Sequence, residues 1–120
     1  MIRLNHHISF KHAIDGIITG FSTQPNFQIH LVLSMTAIVG GIILNISHLE
    51  WIIIIFTITL GLVIELINTA IEFTVDLLTD RFHLLAKYAK DTSAAAMLVY
   101  ACGSLIVAYL IFAPKIWSYF

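Results

Sequence analysis

The run Glu65-Leu-Ile-Asn-Thr-Ala-Ile-Glu72 places two carboxylates and an amide inside an otherwise apolar stretch. On a helix advancing about 100° per residue, Glu65, Asn68, Glu72 and the following Asp76 share an arc of about 80°. Ionisable groups inside a membrane span are costly and normally face a bundle interior or a functional site. Four acceptor-bearing side chains on one stripe suit a metal and proton-transfer site at the boundary of membrane and cytoplasm. Glu65 and Glu72 stand about 10 Å apart along the axis, too far to grip one ion directly, so they divide the work. Glu72, one turn from both Asn68 and Asp76, is placed to hold Mg²⁺ together with bound phosphate. Glu65 lies deeper, within reach of a lipid headgroup hydroxyl, where a general base is needed. The competing reading makes Glu65 and Asn68 mere hydrogen-bonding glue between helices.

The elements that must carry this stripe are membrane helices. Hydrophobic residues make up 59% of the 120 and charged residues 11%, where a soluble domain carries about 25% charged. Mean hydropathy is +0.94. A net charge of −1 gives no general attraction to nucleic acid. The single Cys102 allows no intrachain disulfide. No clean apolar stretch of signal-peptide length opens the chain, so the first span is expected to act as the membrane signal and to remain.

Three apolar runs, residues 29–46, 51–71 and 94–113, each approach the ~20 residues needed to cross a hydrocarbon core. The link Ser47-His48-Leu49-Glu50 is short enough to force an antiparallel pair. Residues 9–22 differ: Phe10, Ala13, Ile14, Ile17 and Phe21 recur at helical spacing among polar residues, the pattern of a helix lying in the membrane interface. Gln24-Pro25-Asn26 breaks that helix, because Pro disfavours helix at the residue before it. Residues 73–93 form a second polar stretch. The expected fold is therefore all-α, a single domain with an interfacial helix and three spans. Arg3, Lys11, Arg81, Lys87 and Lys90 fall on one side of the membrane and only Lys115 on the other. The excess of basic residues places the N-terminus and residues 73–93 in the cytoplasm, where ATP is available.

Lys90-Asp91 closes the second polar stretch. A Lys there can neutralise transferring phosphate charge and the Asp can hold a cation or orient that Lys, while an ordinary positive-inside flank is the plainer explanation. Arg81 and Lys87 read as flanks, His83 as a phosphate contact or an interfacial residue, His30 as interfacial, and His6 and His7 as a solvated terminus. Trp51, Trp117, Tyr119 and Phe120 read as aromatic belt anchors. The six histidines show no paired zinc spacing, and no Gly-rich nucleotide loop is present. On these residues alone, a small membrane phosphotransferase and an ion-coupled transport protein stand level.

From Glu65 to Asp91 the chain resembles the prokaryotic diacylglycerol kinase and undecaprenol kinase family. The resemblance rests on Glu-Leu-Ile-Asn-Thr-Ala-Ile-Glu-Phe-Thr-Val-Asp, then Phe82-His83, Ala89-Lys90-Asp91 and Ala94-Ala95-Ala96. Ser9-Phe10-Lys11 with Gly16, and Asn26-Phe27 with Ile29-His30, extend it over the whole chain. It implies a homotrimeric membrane kinase, with active sites shared between protomers, that moves the γ-phosphate of ATP to a lipid alcohol with Mg²⁺. By position, Glu65 resembles the family's proton acceptor, Asn68 its active-site amide and Glu72 its main metal-binding carboxylate. Lys90 and Asp91 resemble the nucleotide-contacting pair, with His83 at a further nucleotide contact. The chain departs from the family at Gln24, where many members carry a second metal-binding Glu, and at His12, where some carry a Tyr near the base. The Phe10–Phe21 helix and the Ile-Asn-Thr-Ala-Ile-Glu form of the motif resemble the undecaprenol kinase branch more closely. The alternative is an inactive relative or a non-enzymatic membrane bundle.

Overall fold

The computed structural model describes residues 10–120, and Arg3, His6, His7 and Ser9 lie outside them. Among the described residues there are four helices and no strand: α1 (Phe10–Thr23), α2 (Pro25–Ile43), α3 (His48–Leu78) and α4 (Leu84–Trp117). The last three are long and apolar enough to cross a membrane. The protein is an all-α membrane protein in which a short helix precedes three long ones.

Local sequence explains most helix boundaries. Gln24 is extended (φ −117°, ψ 105°) and Pro25 opens α2, a position where the missing N–H costs nothing. At the other end of α2, Asn45 adopts φ 49°. Its N–H donates to Ile42 O at 3.3 Å while Ile46 N–H donates to Gly41 O at 3.1 Å. This is the Schellman arrangement, with Asn in the left-handed position that Gly more often takes. Ser47 then caps α3 reciprocally: Glu50 N–H donates to Ser47 Oγ at 3.3 Å and Ser47 N–H to Glu50 Oε2 at 2.6 Å. Two orphan donors are thereby satisfied at once. Lys115 Nζ reaches Glu50 Oε2 at 3.1 Å, joining the two ends of the α3–α4 pair. The Ser47 backbone N–H, foremost, and Lys115 hold the Glu50 carboxyl below its ordinary range.

Helical order runs through most of the polar stretch 73–93 and leaves only Thr79–His83 between α3 and α4. Thr79 Oγ1 accepts from Arg81 N–H at 3.2 Å, and His83 Nδ1 accepts from Leu85 N–H at 3.2 Å, capping α4.

The helix α3 is central and packs against the other three. Ile46, Ile54 and Ile111 form a small apolar core near the 44–50 turn, joined by Trp51 and Phe112. Trp51 was expected as a belt anchor. Instead it packs inward on Gly41, where a Cβ would lie 2.9 Å from its ring. Tyr109 and Trp117 meet edge to face at 6.2 Å.

Farther along α3, Gly61 opens a gap that His30 and Tyr100 fill from opposite neighbours; a Cβ there would lie 2.3 Å from each. Tyr100 Oη donates to Thr57 O at 2.7 Å, and His30 Nε2 lies 3.3 Å from Ile58 O. His30 is thus a half-buried junction residue rather than the interfacial one its position suggested. Lipid supplies no hydrophobic drive between helices, so such close approaches and interhelical hydrogen bonds carry the association.

Candidate active site

The i, i+4 geometry of α3 places Gly61, Glu65, Asn68, Glu72 and Asp76 along one face. Glu65 is 1% exposed, the most deeply buried large side chain described. Helix α1 reaches this region through Gly20, where a Cβ would lie 3.0 Å from Leu66 Cδ2 and 3.6 Å from Phe27. Among the described residues neither Glu65 oxygen has a hydrogen-bond partner, and Asn68 Oδ1 has none. Asn68 Nδ2 donates to Glu72 Oε1 at 3.3 Å, and Thr69 Oγ1 donates to the Glu65 carbonyl at 2.9 Å. Buried acceptors without partners are expensive and rarely kept unless something comes to meet them.

Nearer the 79–83 turn, α3 and α4 enclose a cleft of about 540 Å³ whose wall includes Asp76, Arg81, His83, Lys90 and Asp91. Lys90 Nζ pairs with Asp76 across the two helices, and Lys87 Nζ pairs with Asp91 along α4. The sequence suggested that Asp91 holds a cation or orients Lys90. Lys90 pairs with Asp76 instead, because residues one apart on a helix diverge, whereas Asp91 stands one turn from Lys87. His83 lines the cleft while its Nδ1 caps α4, which leaves Nε2 as the nitrogen able to meet a ligand.

The structure thus brings together Asp76, His83, Lys90 and Asp91, and separately Glu65, Asn68 and Glu72, along one continuous face. Gln24 sits half-buried at the α1–α2 joint and His12 is exposed on α1. Neither side chain hydrogen-bonds to the stripe among the described residues. Sequence reasoning missed Gly61 and Tyr100. The available signals were a glycine in register with the stripe and a hydroxyl inside an apolar run.

The fit of a divalent cation follows from the donor set. Among the described residues no three His, Cys, Asp or Glu side chains converge. Glu72 and the free Asn68 Oδ1 are hard oxygen donors of the kind Mg²⁺ accepts, with the remaining positions left to phosphate and water. The residues fit Mg²⁺ delivered with a nucleotide, not a closed protein cage.

The chain also matches known proteins. The family described as prokaryotic diacylglycerol kinase matches residues 11–112. An undecaprenol kinase of Bacillus subtilis is 45% identical over 108 residues, covering 90% of this chain and 88% of its own. A diacylglycerol kinase of Synechocystis sp. is 35% identical over 112 residues, 92% of this chain and 64% of its own. A diacylglycerol kinase of Escherichia coli is 28% identical over 105 residues, covering 88% and 83%. The chain belongs to the prokaryotic diacylglycerol kinase family.

Proposed function

We propose that this membrane lipid kinase transfers the γ-phosphate of ATP to undecaprenol, with Glu65 as general base and Mg²⁺ at Glu72. The observation that carries the reading is Glu65: a carboxylate closed off from solvent with both oxygens unpaired among the described residues, one turn from the Asn68–Glu72 pair. A substrate hydroxyl entering there meets an acceptor with no competing donor. The proton passes to a Glu65 oxygen as the lipid oxygen bonds to the γ-phosphorus and the bond to ADP breaks. Asn68, tied to Glu72 through Nδ2, has Oδ1 free to orient the hydroxyl or complete the cation's shell. Mg²⁺, held by Glu72 with Asn68 Oδ1 and Gln24, would neutralise phosphate charge. Lys90, fixed by Asp76, supports the β- and γ-phosphates, while Asp91, His83 and His12 complete the nucleotide contacts.

Undecaprenol is favoured over diacylglycerol because the relative sharing 45% identity bears that name. The same reading places a homotrimer with shared sites in the bacterial cytoplasmic membrane. Its helix α1 lies in the interface, spans run near residues 29–46, 51–71 and 94–113, and the N-terminus and residues 73–93 face the cytoplasm. The apolar residues Phe10, Ile14 and Phe21, exposed on α1, support an interfacial position.

Purified protein in mixed micelles with γ-labelled ATP, given undecaprenol or diacylglycerol separately, tests the reading. Faster labelling of undecaprenol is expected. Preference for diacylglycerol would reassign the acceptor, and no transfer to either by folded protein would refute the kinase mechanism.

A further inference from the structure

The cleft between α3 and α4 has a second lysine in its wall, Lys87, whose place in the sequence suggested only a membrane flank. Three carboxylates, Asp76, Asp80 and Asp91, and three cations, Arg81, Lys87 and Lys90, line its ~540 Å³. The wall is neutral as a whole, yet it brings two lysines side by side. Lys87 and Lys90 stand three residues apart on α4, a spacing that puts their Cβ atoms about 5–6 Å from each other. Like charges one turn apart destabilise a helix.

Placement along the helix works in the same direction. Helix α4 begins at Leu84, which makes Lys87 its fourth residue, and its first turn holds no acidic residue. That turn is the positive end of the helix dipole, where an anion is favoured and a cation is not.

Each lysine is held by a carboxylate. Lys87 Nζ pairs with Asp91 one turn on, and Lys90 Nζ with Asp76 on α3. The Lys87 and Asp91 side chains are 54% and 59% exposed, and a pair so exposed adds little stability. It does fix where the ammonium group stands. Each ammonium makes one hydrogen bond among the described residues, which leaves two of its three N–H donors for another acceptor. Arg81 differs, since no carboxylate pairs with its guanidinium among the described residues and nothing sets it beside Lys90. Two partly satisfied ammonium groups, one turn apart at the positive end of a helix, suit an anion with several linked charges.

We propose that Lys87 is a phosphate-binding residue of the nucleotide site. Asp91 holds it beside Lys90, and the two ammonium groups take neighbouring phosphates of one nucleotide. This rests on the kinase reading above and adds a residue to its nucleotide site. Asp91 gives Oδ2 to Lys87 and keeps Oδ1 for the nucleotide.

Binding of MgATP to wild type, Lys87→Met and Lys87→Arg in detergent micelles, without a lipid acceptor, tests the proposal. Lys87→Met should weaken ATP by about tenfold, the scale of one hydrogen bond to a charged group. Lys87→Arg should recover most of that loss. Unchanged ATP affinity in Lys87→Met would overturn the contact. A second measurement needs no variant: an amine-specific reagent applied to wild type, with the label at Lys87 read by mass spectrometry. MgATP and magnesium tripolyphosphate should each slow labelling at Lys87 severalfold, whereas adenosine should not. Labelling that saturating MgATP leaves unaltered would show that Lys87 acts through Asp91 or the fold alone and would overturn the proposal. Neither readout involves the lipid, so failure to phosphorylate undecaprenol leaves both standing. Wild type that binds no ATP overturns the kinase reading and this contact together.

Discussion

The Tyr100 hydroxyl reaches the Thr57 carbonyl at 2.7 Å by passing through the space that a side chain at position 61 would occupy. His30 uses the same space from the opposite helix. Gly61 therefore lets α2 and α4 meet on α3, one turn from the buried carboxylate of Glu65.

In an exposed helix Gly→Ala stabilises by roughly 1 kcal/mol. Gly61→Ala should do the reverse. Its Cβ would stand 2.3 Å from both rings, and relief would cost the Tyr100 and His30 hydrogen bonds. Overpacking of this kind costs about 1–3 kcal/mol, and Tyr100→Phe, losing one interhelical bond, about 0.6 kcal/mol. Unfolding in detergent should rank wild type above Tyr100→Phe and Tyr100→Phe above Gly61→Ala. An unchanged Gly61→Ala would contradict the junction.

The two carboxylates should separate kinetically. Glu65→Gln keeps the shape of the site but cannot take the proton, so turnover should fall on the order of 10²–10⁴-fold with nucleotide affinity little changed. Glu72→Gln should instead weaken Mg²⁺-dependent nucleotide binding. Nucleotide titrations beside steady-state rates distinguish these, and near-full turnover of Glu65→Gln would remove it from the base's role.

Gln24→Glu restores an anionic oxygen where the chain carries a neutral amide. Hard cations gain more from a carboxylate, so the Mg²⁺ concentration for half-maximal activity should drop. A titration that leaves the half-point unmoved, with assembly intact, would place Gln24 outside the coordination sphere.

Acid should loosen the far turn. The Ser47 backbone N–H and Lys115 hold the Glu50 carboxyl below the ordinary carboxylate value. The stability it adds is accordingly full above that value and lost as pH falls through the lowered one. Wild type should lose melting temperature on acidification through this window more steeply than Glu50→Gln. Parallel acid limbs would mean that Glu50 adds no pH-dependent stability.

What was legible in the sequence is what a single helix determines. The stripe from Glu65 to Asp76 follows from the 3.6-residue period alone, and the break at Gln24-Pro25 follows from the restriction Pro places on the residue before it. None of these depends on a neighbour. The pairing of Lys90 with Asp76, the inward turn of Trp51 and the His30–Tyr100 meeting at Gly61 were not legible. Each depends on how α2, α3 and α4 are rotated and offset against one another. Long apolar helices offer many nearly equivalent faces for packing, and in lipid the hydrophobic effect does not choose between them. The choice falls to a few non-local features, the gap at Gly61 and two hydrogen bonds across it, and these exist only once the helices have met.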